Sequence, residues 1–239
     1  MYYMIAQEYL GKNNFETLML NNGYRVKYPP NFIKTTYSVK CYQYKNLIKG
    51  IELTGVNQVW QSDITYFWAY GKFYYLVFII DVYSRRILGY KASTTLEATA
   101  NIEAVNMAFK LTKGKRTKEL IHHSDRGSQY ASNVYTSLLI SNECKISMCN
   151  AAYENAYAER VNGIIKNEYL NNWGINSFNE LEKALNRAVH AYNYGRPHSS
   201  LINNLTPIEF ENYVLTLCAE KRPKVKLYTE DKIQEVNHE

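Results

Sequence analysis

An uninterrupted apolar run from Phe73 to Ile80 is the feature that most constrains what this chain can fold into. A run of eight such residues, bounded by Gly71-Lys72 and by Asp81, is typical of a strand that is buried on both faces of a sheet. In the preceding segment, residues 60–68, side chains alternate with the period of a strand. A third strand is predicted over residues 86–92, after a short turn. Three successive strands joined by short turns form an antiparallel meander.

Helical segments alternate with short strands after the meander. Two four-residue segments fit capping boxes, which mark the starts of helices. They are Thr94-Thr95-Leu96-Glu97 and Ser177-Phe178-Asn179-Glu180. Further elements are predicted as strands over 119–123 and 145–148, and as helices over 132–142 and 154–171. This order of elements predicts an α/β fold of the ribonuclease-H-like type, in which helices flank a mixed five-stranded sheet.

Composition divides the chain into three parts. Residues 1–50 are polar and aromatic, with weak periodicity and a break at Pro29-Pro30, so we expect a short helix followed by an extended arm. Residues 51–214 contain the periodic elements and form the predicted core. Residues 215–239 are charged and contain Pro223, so we expect a disordered tail.

Charge and cysteine usage bound the function only loosely. Lys and Arg number 28 against 22 Asp and Glu, a net charge of +6, which suits a phosphate-backbone partner without being specific for one. No apolar segment reaches the roughly 20 residues needed to cross a bilayer, and residues 1–10 lack the pattern of a secretory signal. The four cysteines are scattered without zinc-site spacing. We therefore expect a cytoplasmic protein with reduced thiols and no membrane contact.

Three acidic residues fall where the predicted topology brings them together. Asp63 lies in the first strand of the meander, Asp125 follows the strand over 119–123, and Glu159 lies on the long helix. Taken singly, each has an ordinary interpretation. An isolated strand aspartate is commonly a bulge or edge residue, an aspartate before Arg126-Gly127 a turn former, and a lone helix glutamate a solvated acid.

Together, the three acids indicate a site for hard metal ions. A carboxylate within a sheet is costly to bury unless its charge is compensated, and oxygen donors without a His or Cys cluster favour Mg²⁺ or Mn²⁺ over zinc. Two such ions about 4 Å apart stabilise the attacking and leaving oxygens of a phosphoryl displacement. Asp81 is a rival for the first acid, but its turn context favours a capping role.

Five short sequence motifs occur along the chain in a recognisable order. Three of them contain one of the acids each: Trp60-Gln61-Ser62-Asp63-Ile64-Thr65-Tyr66, His123-Ser124-Asp125-Arg126-Gly127-Ser128-Gln129-Tyr130 and Tyr153-Glu154-Asn155-Ala156-Tyr157-Ala158-Glu159-Arg160. They resemble the acidic motifs of bacterial insertion-sequence transposases of the second-reading-frame (OrfB) type, whose catalytic core is similar to retroviral integrase. Two further motifs resemble the C-terminal signature of the same family. They are Tyr192-Asn193 with Arg196-Pro197-His198-Ser199-Ser200-Leu201, and Thr206-Pro207-Ile208-Glu209-Phe210. The resemblance covers about residues 51–213.

This resemblance implies a DDE recombinase in which Asp63, Asp125 and Glu159 are the catalytic residues and bind Mg²⁺ or Mn²⁺, with two ions expected. Lys166 lies seven residues after Glu159 on the same helical face, where the family similarly carries a Lys or Arg. We expect it to meet a DNA phosphate; the ordinary alternative is a solvent-facing lysine.

Three more residues near the acids are candidates for contact with DNA. Arg160 directly follows Glu159, and Asn155 precedes it by four residues in the same motif. His123 is a candidate for contact with the metal site or the substrate. Because His122 and His123 are adjacent on a strand, their rings point to opposite faces, so one of them can be merely structural.

The chain departs from the family pattern in two places. Only 33 residues separate Asp125 from Glu159, fewer than is usual in the family, and the shortening falls at residues 149–152. The N-terminal region resembles a remnant of the family's longer helical DNA-binding region, and the zinc module of retroviral integrases has no counterpart in the sequence. Recognition of the element ends is therefore expected either to come from a DNA-binding partner encoded in an upstream frame or to have been lost.

The leading hypothesis is a transposase that cleaves DNA at the ends of its mobile element and transfers the exposed 3′-hydroxyl to another strand. The resemblance implies that it acts as a homo-oligomer on DNA, in the bacterial cytoplasm and at the nucleoid. The alternative is a truncated, catalytically silent DNA-binding or regulatory protein. A third interpretation, a cellular nuclease for RNA–DNA hybrids, does not account for the C-terminal signature.

Overall fold

Two units make up the chain, residues 1–34 and residues 35–239. The computed structural model describes residues 10–25, 44–114 and 119–228. In the first unit, the described residues form one helix, α1 (Lys12–Asn21), which has no buried side chain. The extended arm expected around Pro29-Pro30 lies outside the described residues. The expected domain boundary after residue 50, and the relation of this region to a DNA-binding domain, stay predictions.

A five-stranded sheet is the centre of the second unit. The strands of this unit are β1 (Glu52–Leu53), β2 (Val59–Ala69), β3 (Lys72–Asp81), β4 (Ile87–Ser93), β5 (Ile121–Ser124), β6 (Lys145–Met148) and β7 (Val225–Lys226). The central sheet has the order β4-β3-β2-β5-β6. The pairs β2–β3 and β3–β4 are antiparallel, whereas β2–β5 and β5–β6 are parallel. The mixed sheet of the ribonuclease-H-like fold is thus confirmed.

Helices cover both faces of this sheet. They are α2 (Ala98–Leu111), α3 (Asn133–Ser141), α4 (Ala156–Ile164), α5 (Phe178–Tyr194) and α6 (Pro207–Leu215). Short 3₁₀ turns lie at Ala152–Asn155, Leu170–Asn172, Ile202–Asn204 and Ala219–Lys221, and a π-helical turn over Ile165–Tyr169 follows α4. None of the helices in the described ranges is long and apolar enough to span a membrane.

Strand β3 is buried on both faces from Leu76 onward, as its apolar run predicted, whereas Phe73 at the start of the run is exposed and Tyr75 is half-buried. Val77 and Ile79 pack into the hydrophobic core beneath α2 and α3. Phe78 and Ile80 pack into the other core, beneath α4 and α5. Because successive side chains of a strand point to opposite faces, a strand between two helical layers must be apolar at every position.

Gly89 sets the distance between β4 and α2. A Cβ atom at this position would lie 1.9 Å from the carbonyl oxygen of Ala104 and 2.9 Å from its carbonyl carbon. Both of these atoms belong to the backbone of α2, so no side-chain rotation could relieve the overlap. The absence of a side chain at Gly89 therefore permits the close packing of the helix on the sheet.

The described part of the C-terminal tail is ordered, contrary to expectation. Strand β7 pairs antiparallel with β1, and Leu227 is fully buried in a third core with Ile48 and Leu53. The prediction of disorder from residue 215 onward is therefore wrong for residues 215–228, because local composition did not reveal the distant pairing partner. Residues 229–239 lie outside the described part.

The helix starts agree only in part with the sequence patterns. Ser177 caps α5, since its side chain accepts a hydrogen bond from the amide of Glu180. The capping box predicted at residues 94–97 is wrong: α2 begins at Ala98, after Glu97, without a side-chain cap. Because β4 extends to Ser93, the next four residues are needed to turn the chain from the sheet into the helix.

The helix predicted over residues 154–171 is divided into four segments, the last of which is the 3₁₀ turn Leu170–Asn172. A 3₁₀ turn precedes α4, and the π-helical turn follows it at residue 165. A π-helical turn inserts extra backbone and rotates the residues after it relative to a regular α-helix. Residues on either side of Ile165 therefore do not keep the spacing that a single α-helix would give.

Asp81 closes the turn between β3 and β4, as its context predicted. Its buried carboxylate accepts hydrogen bonds from the amides of Asn57 and Ser84, at 2.6 and 2.7 Å, and from the hydroxyl of Ser84. Burial nevertheless raises the pKa of Asp81 to about 6. All of these hydrogen bonds hold the turn together, so Asp81 is not an alternative to Asp63 as the first acid of the site.

Replacing Gly89 with alanine is expected to destabilise the fold by about 3 kcal/mol, at the upper end of overpacking effects. For a chain of this size, that corresponds to a fall in Tm of about 6–12 °C. Gly174→Ala is the control, because a Cβ atom at Gly174 meets nothing within 4 Å. Thermal unfolding followed by circular dichroism measures both, and an unchanged Tm for Gly89→Ala would contradict the tight packing of α2 on β4.

Candidate active site

The register of two parallel strands places Asp63 beside Asp125. Ser62 of β2 is the register partner of Ser124, the last residue of β5. Asp63 and Asp125 are the next residues on the two chains. Neighbouring strands lie about 4.8 Å apart, so Asp63, within β2, lies side by side with Asp125 at the carboxyl end of β5. In open α/β sheets, ligands gather at this end.

Helix α4 is attached to β2 directly over this position. The side chain of Gln61 accepts a hydrogen bond from the amide of Ala158 and donates one to the carbonyl of Glu154. One turn further along α4, the amide group of Asn162 donates to Oδ2 of Asp63 at 2.7 Å. Glu159 lies between these two attachments, in the first turn of the helix.

The three carboxyl groups are close enough to affect one another's pKa values. Burial raises the pKa of Asp63 well above its usual range, and the negative charges of Asp125 and Glu159 raise it further. The pKa of Glu159 is raised by burial and by Asp125, and that of Asp125 by burial. Gathering like charges at a partly buried site destabilises their ionised forms.

The side chains are nonetheless not drawn into a metal-binding group. Among the residues that the structure describes, no three His, Cys, Asp or Glu side chains are arranged so that they could hold one ion. Oδ1 of Asp125 instead accepts a hydrogen bond from the amide of Gly127 at 2.9 Å. The donors are all carboxylate oxygens, so their chemistry fits Mg²⁺ or Mn²⁺, but coordination requires the carboxylates to rotate toward one another.

Lys166 lies close to the acids, in the π-helical turn after α4. Its ammonium group donates to the carbonyl of Tyr66, three residues along β2 from Asp63, at 3.4 Å. Burial lowers the pKa of Lys166, while the charge of Asp63 raises it. The structure thus brings a partly buried cation to the site, and its contact with DNA stays a prediction.

Two other predicted contact residues are in the interior. Asn155 is buried, and its amide donates to the carbonyl of Ser62 at 3.0 Å. His123 is also buried, and its Nδ1 is hydrogen-bonded to the hydroxyl of Ser147. Burial, together with the neighbouring His122, lowers the pKa of His123 to about 3.

These positions do not support the DNA contacts expected of Asn155 and His123. Both histidines of β5 are buried, His122 with 1% and His123 with 0% of its surface exposed, so neither ring reaches the surface. The ring of His122 points to the other face, where Nε2 bonds the hydroxyl of Tyr135. Of the predicted DNA-contacting residues, Arg160 is exposed.

The shortened loop before α4 is held by Glu154. Its carboxylate accepts hydrogen bonds from the amides of Asn150 and Ala151, and the amide of Cys149 donates to the carbonyl of Ser124. Arg126, next to Asp125, bonds the side chain of Asn150. Despite its short length, the loop therefore connects β6 to α4 through an ordered set of hydrogen bonds.

Two residues that organise the site were not predicted from the sequence. Asn162 contacts Asp63, and Gln61 joins β2 to α4. A signal for both existed: each is an amide side chain on the face that also presents a site acid, two residues before Asp63 or three after Glu159. Polar side chains that are buried at such positions need hydrogen-bond partners.

Family models match most of the second unit. The description "Integrase core domain" applies to two matches, over residues 54–153 and over residues 142–207. Together they run from residue 54 to residue 207, which is more than half of the chain.

Several curated proteins are similar to the chain. A putative transposase for insertion sequence element IS986/IS6110 of Mycobacterium tuberculosis is 31% identical over 163 residues, covering 65% of this chain and 58% of the relative. A transposase for insertion sequence element IS629 of Shigella sonnei is 34% identical over 142 residues, 59% of this chain and 47% of the relative. Transposase InsF for insertion sequence IS3A of Escherichia coli is 32% identical, over 66% of this chain and 55% of the relative. The chain therefore spans about half the length of the relatives that it matches.

Solved structures share the fold. The HTLV-2 integrase catalytic core domain in complex with magnesium, in its dimeric form, is 25% identical with a TM-score of 0.52, covering 65% of this chain and 95% of that one. The catalytic core domain of BIV integrase is 18% identical with a TM-score of 0.50, covering 67% of this chain and 97% of that one. The Mg²⁺ of the first structure is a property of that protein.

Removing one of the crowded charges is expected to stabilise the metal-free protein. Asp63→Asn keeps an oxygen to accept from Asn162 but abolishes the repulsion by Asp125 and Glu159. Its Tm in EDTA at pH 7.5 should rise by about 2–4 °C for each kcal/mol of repulsion removed. Glu220→Gln, an exposed acid, is the control and should leave Tm unchanged. A fall in the Tm of Asp63→Asn, with the control unchanged, would mean that the carboxylates do not repel one another in the fold.

Proposed function

Since the chain belongs to the family of bacterial insertion-sequence transposases with an integrase core domain, we propose that it cleaves DNA at the ends of a mobile element and transfers the cleaved strand to a target. The observation that carries this proposal is the placement of Asp63 beside Asp125, with the helix of Glu159 attached above them. Acids from three distant parts of the sequence are thereby made neighbours, at an electrostatic cost that a purely structural role would not require.

Asp63, Asp125 and Glu159 are the residues that would hold Mg²⁺ or Mn²⁺, as two ions. When bound, the ions would supply charge stabilisation for the attacking and leaving oxygens of an in-line displacement at phosphorus. The protein itself holds the carboxylates in place. Asn162 fixes one oxygen of Asp63, and the attachment of Gln61 to Ala158 fixes the distance of α4 from β2.

The reaction proposed is a hydrolysis followed by a transesterification. In the first step, water breaks the bond between phosphorus and the 3′-oxygen, leaving a 3′-hydroxyl on one fragment and a 5′-phosphate on the other. In the second step, that 3′-hydroxyl attacks a phosphodiester of the target, forming a new bond to phosphorus and releasing a target 3′-hydroxyl. The nucleophiles are water and DNA, so no covalent enzyme intermediate is needed. Lys166, beside Asp63, would place its positive charge near a phosphate of the bound strand.

The partners proposed are the DNA of the element ends, the target DNA, further copies of the chain, and a DNA-binding protein encoded upstream. A catalytically silent DNA-binding protein is the competing function. It is favoured by the side-chain arrangement in the described residues, in which the three acids do not form a ready metal-binding group.

Single substitutions of the acids distinguish the two functions. Asp63→Asn, Asp125→Asn and Glu159→Gln are each expected to lower Mn²⁺-dependent nicking of a duplex that carries the element end by at least about 100-fold, since even residues that only support metal ligands contribute 10- to 100-fold. The substrate is the genomic DNA that flanks the gene, and cleavage is measured on denaturing gels.

The matched control is Glu143→Gln, which neutralises an exposed acid outside the site and should cleave like the wild type. Binding of the same duplex in EDTA should persist in all four variants. Wild-type cleavage by Asp63→Asn would remove the assignment of the acids. Tight binding by the wild type with no cleavage in Mn²⁺ would establish the silent DNA-binding function instead.

A further inference from the structure

Three arginines from separate parts of the chain meet beside α4. Arg85 lies in the turn between β3 and β4, and its guanidinium stacks 4.2 Å from the centre of the Tyr157 ring. Tyr157 precedes Arg160 by three residues on α4, so the two residues share one side of the helix. Arg196 belongs to the loop after α5, two residues before His198.

Aromatic rings connect these arginines to one another. The hydroxyl of Tyr192 donates to the carbonyl of Arg85 at 3.1 Å, and the Tyr192 ring packs edge-on against His198 at 4.7 Å. The positive charges of the cluster act on His198. Burial and the charges of Arg196, Arg85 and Arg160 lower the pKa of His198 to about 3. A histidine between three cations stays neutral at physiological pH.

Only one of the three arginines is paired with an acid in the described part of the chain. Arg196 is paired, since it donates two hydrogen bonds of 2.6 Å to the carboxylate of Glu168. Nη1 of Arg85 is buried with no hydrogen-bond partner in the described part of the chain, and the same holds for Nε2 of His198. Arg160 is exposed, and no ion pair is formed by it within the described ranges. A buried guanidinium N–H without an acceptor is costly.

The turn holds Arg85 in an uncommon backbone conformation. Its φ is 67°, in the left-handed region that non-glycine residues rarely adopt. The amide of Arg85 donates to the carbonyl of Asp81, whose carboxylate closes the same turn. The turn therefore fixes the backbone at Arg85, and stacking on Tyr157 places its side chain.

We propose that Arg85 and Arg160, framed by the loop over residues 196–198, form a second DNA-contacting site that binds a backbone phosphate. Phosphate suits this site because guanidinium groups donate in pairs to its oxygens. Arg160 directly follows Glu159, and successive residues of a helix point about 100° apart around its axis. Arg160 is therefore next to Glu159 along α4 but on a different side of the helix, so this site would meet a phosphate other than the one held at the acids. The proposal rests on the proposed function only in taking DNA as the partner.

Salt dependence of DNA binding tests this site. The probe is a 30-base-pair duplex of random sequence, and its dissociation constant for the full chain is measured by fluorescence anisotropy in EDTA over a range of NaCl concentrations. Each phosphate contact that is lost reduces the slope of log K against log salt by about 0.9. Arg160→Gln and Arg85→Gln are each expected to show that reduction, with weaker binding of every sequence.

The control is Arg187→Gln, which removes an exposed arginine that stacks on Trp173 and should keep the wild-type slope. Circular dichroism melts check folding. If Arg85→Gln unfolds, Arg85→Lys replaces it, and because the charge remains we expect weaker binding with an unchanged slope.

A wild-type slope in Arg160→Gln would overturn the proposal, and so would a wild-type chain that does not bind the duplex. Nicking in Mn²⁺ on the same samples separates this inference from the proposed function. A reduced slope without any wild-type nicking leaves the phosphate site in place and removes the transposase activity. Wild-type nicking with an unchanged slope does the reverse.

Discussion

The parallel register between β2 and β5 is the constraint on which the site depends. With Ser62 opposite Ser124, Asp63 and Asp125 must emerge together at the end of β5, whatever their mutual repulsion. The rest of the second unit compensates for that placement. Two amide side chains, of Gln61 and Asn162, attach α4 to β2, and Lys166 adds a partly buried cation next to Asp63. The pairing of two strands thus fixes the site, and hydrogen bonds from one helix complete it.

Much of the fold could be predicted from the sequence, because its signals there are local. The continuous apolar run of β3 reflects burial between two helical layers, and strand β6 lies where its pattern indicated, at residues 145–148. The start of α2 was mispredicted because a threonine–glutamate spacing cannot show that β4 extends to Ser93. The strand at residues 225–226 escaped prediction because its partner β1 lies far away in sequence.

The site was predictable to the extent that its residues are acidic and lie at strand or helix positions. Asp63, Asp125 and Glu159 are neighbours in the fold, as the topology indicated. His123 and Asn155 lie in the same sequence motifs as Asp125 and Glu159, but their side chains are buried and form structural hydrogen bonds. Proximity in sequence to an acid does not separate the two roles, because burial depends on helices that are contributed by other segments. The C-terminal motifs also combine structural residues with candidate functional ones. Thr206 and Glu209 form a capping box at the start of α6, whereas Arg196 belongs to the arginine cluster.

The central claim is that the three carboxylates form one cation site once a hard metal is supplied. The most direct measurement is anomalous diffraction from crystals of the full chain soaked in Mn²⁺. The account predicts anomalous peaks that contact a carboxylate oxygen of both Asp63 and Asp125, with Glu159 turned toward the same ions, and two peaks about 4 Å apart if both sites fill. Well-ordered acids at millimolar Mn²⁺ with no anomalous density between them would contradict it.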